Sequence, residues 1–133
     1  METFYLNFQI DRNKAIHTKY FVYRNKKYPI NFNFIKENSK LIYDHQNSYE
    51  NIECIPLLTV EEEKHINLSN DSIQIFISCC QYEPIKIFNS NIIEVEYLAI
   101  KYEVPQLITR INQYLNENFS AISIKSLLFK LQI

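Results

Sequence analysis

Tyr28-Pro29-Ile30-Asn31-Phe32-Asn33-Phe34-Ile35-Lys36-Glu37-Asn38-Ser39 is the stretch in which the hydrophobic period of this chain changes. Before it, residues 16–24 form a β-rich run, Asn25-Lys26 supplies a tight turn, and Lys27-Tyr28-Pro29-Ile30 reads as a short strand. From Asn31 the spacing becomes helical, with Phe34, Ile35, Leu41 and Ile42 as apolar positions and Ser39 placed to cap a second short helix. Working back to the amino terminus, Phe4, Leu6, Phe8 and Ile10 alternate with polar residues, the period of a strand, and a turn follows at residues 11–14.

Working forward, residues 46–56 are polar and turn-rich and read as a loop, and residues 64–68 read as a short strand. Ser69 then caps a helix whose buried face carries Ile73, Phe76, Ile77 and Cys80 at i, i+3, i+4 and i+7. Glu83-Pro84 stops it, and Ile85-Lys86-Ile87-Phe88 reads as another strand. Asn91 with Glu94 has the spacing of a capping box for a helix through Tyr102. Val104-Pro105 separates that helix from the next, whose stripe is Leu107, Ile108, Ile111 and Leu115. Residues 122–133 form a last amphipathic stretch. This order describes an α/β (α+β) domain, a small sheet with a hairpin flanked by five to six helices.

The 133 residues suit one compact domain, and 47% hydrophobic with 22% charged residues are ordinary globular proportions. Fourteen basic and 15 acidic side chains nearly cancel, so neither nucleic acid nor a membrane is expected as a partner. The chain contains no glycine, where average usage would give about nine. Phosphate-cradling loops, dinucleotide-binding turns and nucleophile elbows all need glycine, so none of them can be written with this sequence. The enriched Ile, Asn, Lys, Tyr and Phe have A/T-rich codons, and nucleotide bias accounts for part of the deficit. Three cysteines, Cys54, Cys79 and Cys80, fit a reducing cytoplasm or nucleus better than a disulfide framework.

The stretch at residues 28–39 resembles the part of BTB/POZ domains that reads aromatic, Pro, aliphatic, His, several helical residues, then Ser. Residues 20–27 look like that family's first hairpin. Asn67-Leu68-Ser69 with residues 73–77 is similar to its strand leading into the central helix. Residues 85–87, 99–107 and 114–118 are similar to its last strand and closing helix pair. The likeness runs in order over residues 16–118, leaving 1–15 as an amino-terminal strand and 119–133 as a helical extension. Departures are Asn31 at the usual His, Asn25 at the hairpin Gly, and Gln81-Tyr82-Glu83 where an aromatic and Gly are expected. The resemblance implies a dimerising or adaptor module, related to the cullin-adaptor and elongin C group, that recruits a protein partner such as a cullin. It also implies that the central helix after Ser69 and the loop holding Gln81, Tyr82 and Glu83 meet that partner.

No catalytic, cofactor-binding or metal-ligating constellation is legible. His17, His45 and His65 are far apart and lack partners at metal-ligand spacing. Cys79 and Cys80 point about 100° apart on a helix, one expected in the core and the other partly exposed. A catalytic thiol would need a histidine brought to it, and His65 is the candidate. Glu61-Glu62-Glu63 reads as a solvated face, or else as a docking surface for a basic partner. Arg12, Lys14, Lys19, Arg24, Lys26 and Lys27 keep the strands soluble. Phe4, Leu6, Phe8 and Ile10 are either ordinary core or an interface strand through which two copies associate. A structural component packed in a larger assembly is the alternative to an interaction module.

Overall fold

The computed structural model describes residues 2–4, 19–81, 85–87 and 89–117. Strands β2 (Lys19–Tyr23) and β3 (Lys26–Ile30) form the hairpin, antiparallel with Phe21 opposite Tyr28. Its turn is Arg24-Asn25, one residue earlier than the sequence reading, with φ of 48° and 67°. Two successive left-handed residues make the type I′ geometry whose twist suits a hairpin. The left-handed region costs a residue such as Arg24 about 1–2 kcal/mol. Its guanidinium offsets that by donating to the Glu63 carbonyl at 2.7 Å and to Asn67 Oδ1 at 2.9 Å.

Helix α1 (Phe32–Asn38) is opened by Asn31, whose side chain accepts from the Phe34 N–H. Ser39 then opens α2 (Lys40–Asp44), as its position in the sequence predicts. Residues 46–56 are not simply a loop: they contain α3 (Gln46–Tyr49) and β4 (Cys54–Pro56). A three-residue strand in which only Ile55 is buried has no period to read. Its pairing defines it, parallel to β2 with Ile55 opposite Phe21.

The strand expected at 64–68 is absent. Helix α4 (Val60–His65) ends there, and residues 66–69 lead without regular structure into α5 (Asn70–Cys80), which Ser69 caps. Thr59-x-x-Glu62 is a complete capping box and sets the start of α4. After β5 (Ile85–Ile87) come α6 (Asn89–Lys101) and α7 (Pro105–Glu117). Asn91 and Glu94 do not cap α6, which begins earlier. Asn91 is buried with Nδ2 3.3 Å from Ser72 Oγ, and Glu94 Oε1 accepts the Ser69 N–H at 2.6 Å. Both tie α6 to the start of α5.

The fold is α+β, a small mixed sheet of order β3-β2-β4 flanked by helices, seven of them among the described residues. Strand β1 (Glu2–Phe4) lies outside that sheet and pairs antiparallel with β5, Thr3 opposite Lys86. The core runs between sheet and helices, with Phe21, Ile30, Ile35, Ile55, Leu57, Ile73, Phe76 and Leu98 fully buried. Cys79 and Cys80 are both buried, correcting the expectation that one is partly exposed. Helix α5 is enclosed on more than the one face that its i, i+3, i+4 stripe shows.

Candidate interaction surface

The surface begins at a local sequence signal. The Thr59 hydroxyl accepts from the Glu62 N–H at 3.1 Å, and Glu62 Oε1 accepts the Thr59 N–H at 2.8 Å. This fixes the first turn of α4 and aims the Glu62 carboxylate at α6. There Lys101 Nζ donates to Glu62 Oε1 at 2.8 Å, and the Tyr97 hydroxyl donates to Glu62 Oε2. Desolvation pushes the Glu62 carboxyl up, but hydrogen bonds from Lys101, the Thr59 N–H and Tyr97, with the Lys101 charge, outweigh it and hold the group at about 2. Desolvation and the hydrogen bond to Glu62 push the Tyr97 phenol up. Of the acidic run expected to be a solvated face, Glu61 is exposed, while Glu62 is the clamp that holds a six-residue helix to the body of the fold.

Beside this clamp lies an open groove of about 940 Å³, lined among others by Leu41, Tyr49, Pro56, Val60, Lys101 and Tyr102. Its floor is rigid. Tyr102 is buried, packs against Phe21 and Phe76 at ring distances of 5.4 and 5.6 Å, and donates its hydroxyl to the Leu57 carbonyl at 2.6 Å. Its walls are mixed, with Arg24, Asn25, Glu63 and Lys101 beside the apolar residues. Val60 is 77% exposed, and Tyr43 and Ile100, on the helices that contribute Leu41 and Lys101, are 59% and 53% exposed. Ile52, whose N–H donates to the Tyr49 carbonyl, is 40% exposed. Of these four exposed apolar residues Val60 lines the groove, and an apolar side chain left in water at a concave site suits a protein-docking surface.

The residues singled out from sequence distribute differently. Phe4 lies in β1, and Leu6, Phe8, Ile10, Tyr82 and Glu83 lie outside the described residues. Gln81 is buried, not a surface contact: its Oε1 accepts the Asn31 N–H at 2.7 Å and joins the start of α1 to the end of α5. His65 sits on the exposed side of α4 with Nε2 3.2 Å from Glu61 Oε1, whereas Cys79 and Cys80 are interior, and desolvation raises both thiols. Among the described residues no three His, Cys, Asp or Glu side chains gather as metal ligands, and no helix is long and apolar enough to cross a membrane. The clamp of Thr59, Glu62, Tyr97 and Lys101 was not singled out from sequence. The capping-box spacing at Thr59 and Glu62 was the available signal, and the run of three glutamates masked it. Comparisons of the chain with family models, with curated proteins and with solved structures found no match.

Proposed function

We propose that this chain is a non-catalytic protein-interaction module of the BTB/POZ kind, a scaffold or adaptor that self-associates and recruits a protein partner. The observation that carries the reading is the groove between α2, β4, α4 and α6, rimmed by the exposed Val60 and floored by the buried Tyr102. The order of elements supports the family assignment: a hairpin, three short helices, a strand, a further short helix, a central helix, a short strand and a closing helix pair. The resemblance names the partner class, a cullin in a ubiquitin ligase, met in the cytoplasm or nucleus.

Titration of the purified chain with a cullin amino-terminal domain tests this. Binding at micromolar concentration, weakened at least tenfold by Val60→Asp, is the expected result. No binding by the wild type overturns the adaptor role and favours the second reading, a structural component packed in a larger assembly. The observation behind that second reading is the ribbon of β1 and β5, which stands apart from the main sheet.

A further inference from the structure

The turn of the hairpin, Arg24-Asn25-Lys26-Lys27, sets three cations in four successive exposed residues. The strands on either side spend alternate positions on the core, with Phe21, Tyr23, Tyr28 and Ile30 buried. Each of the three cations is held by neutral groups. The Arg24 guanidinium donates to the Glu63 and Ile66 carbonyls and to Asn67 Oδ1, and lies over the Tyr23 ring. Lys26 Nζ donates to Asn70 Oδ1 at 2.5 Å and sits 5.1 Å from the centre of the Tyr28 ring. Lys27 Nζ lies 5.5 Å from the centre of the Tyr20 ring. Carbonyls, amides and ring faces orient a cation without cancelling its charge. Lys40, Lys64 and Lys101, by contrast, face the carboxylates of Asp44, Glu61 and Glu62. Among the described residues no carboxylate pairs with Arg24, Lys26 or Lys27.

This basic tip opens on the groove, because Arg24 and Asn25 line it together with Val22, Pro56 and Val60. Glu63 is the carboxylate of the lining and belongs to α4, while the charge of Lys101 is taken up by Glu62. A segment that suits both parts sets an apolar side chain beside Val22, Pro56 and Val60 and carboxylates on the turn. Exposed ion pairs are individually weak, but a cluster of like charges without internal counter-charges speeds the encounter with an acidic partner and fixes its orientation. Nucleic acid, the other polyanion, fits less well. Bases need open ring faces to stack on, and Tyr23 and Tyr28 are buried while Lys27 covers the half-buried Tyr20. We infer that the partner segment taken by this groove is an acidic peptide with an apolar anchor, its carboxylates held by Arg24, Lys26 and Lys27. This deepens the proposed function and rests on its reading of the groove as the docking surface.

Lys26→Glu combined with Lys27→Glu reverses two charges and leaves Arg24, which holds the turn, in place. The probe is a fluorescein-labelled peptide of glutamates around one central leucine, read by anisotropy, with its glutamine counterpart and a uridine oligonucleotide of equal length as controls. The wild type should bind the glutamate peptide, more weakly as salt is raised, and should not bind the glutamine peptide. An exposed pair contributes up to about fivefold, so the double reversal should weaken binding by about tenfold or more with an unchanged circular dichroism spectrum. Lys27→Glu alone, whose ammonium the structure sets on the Tyr20 ring, should weaken it by about two- to fivefold. No binding of the glutamate peptide, equal binding of the glutamine peptide, variants that bind like the wild type, or preference for the oligonucleotide overturns the inference. Titration with the cullin domain separates this from the proposed function. A cullin bound equally by wild type and double variant overturns the acidic partner and leaves the groove reading intact. A wild type that binds the glutamate peptide and ignores the cullin supports the acidic partner and overturns the adaptor role alone.

Discussion

Lys101 Nζ stands 2.8 Å from Glu62 Oε1, with 21% and 26% of the two side chains exposed, and the pair joins the six-residue α4 to α6, one of the two longest helices among the described residues. The Glu62 carboxyl titrates at about 2 in the folded chain, below its ordinary 4.5. A depressed folded-state pKa contributes stability above the unfolded value and loses it as pH falls. Denaturant midpoints measured from pH 6 to pH 2 should therefore fall for the wild type between about 4.5 and 2. They should fall less for Glu62→Gln, which has no carboxyl to protonate. Lys101→Met should cost about 1 kcal/mol at pH 7, as expected for a half-buried pair.

Ser39 closes α1 and opens α2, accepting the Ile42 N–H at 3.1 Å and donating to the Tyr102 carbonyl at 2.5 Å. Removing the hydroxyl leaves a buried N–H and a buried carbonyl each short of a partner. Ser39→Ala should destabilise the fold by about 1–2 kcal/mol in urea titration. Ser39→Thr, which keeps the hydroxyl, should cost less unless its methyl group clashes.

Helix α6 ends in a Schellman motif: the Val104 N–H reaches the Ala99 carbonyl at 2.9 Å and the Glu103 N–H the Ile100 carbonyl at 3.2 Å. The left-handed position is held by Glu103, φ 53°, where glycine is preferred. Glu103→Gly relieves that strain and removes a negative charge from the negative end of a helix. The expected outcome is a gain of about 0.5–1 kcal/mol, read as a higher thermal midpoint.

Val60 is 77% exposed at the first position of α4. Val60→Asp should change stability by no more than about 0.5 kcal/mol, because nothing is uncovered by it and the start of a helix tolerates an acidic residue. A loss of partner binding in this variant, with an unchanged urea midpoint, would assign the loss to the surface alone.

Local signals were enough for the hairpin, for the helix pair around Ser39 and for α5 and α7, because each carries its own period or cap. The period change at Asn31 and the proline at the start of α7 are physical constraints on the backbone, independent of what packs against them. The groove was not legible in this way. Two of its walls, β4 and α4, are short, and β4 is a strand only because Ile55 finds Phe21 on β2. The α4 cap was readable at Thr59 and Glu62, but the partners of that carboxylate, Tyr97 and Lys101, are 35 and 39 residues away.

The sequence by itself determined the α+β class, the helix starts after Ser39 and Ser69, the break at Val104-Pro105 and the absence of every glycine-dependent loop, since backbone sterics and hydrophobic period act over a few residues. Only the tertiary structure decided that Gln81 and both cysteines of α5 are interior, that Glu62 is a clamp and not a solvated charge, and that β4 lies at the edge of the sheet beside β2. Burial and edge position depend on which distant segments meet, and no local pattern along the chain encodes that meeting.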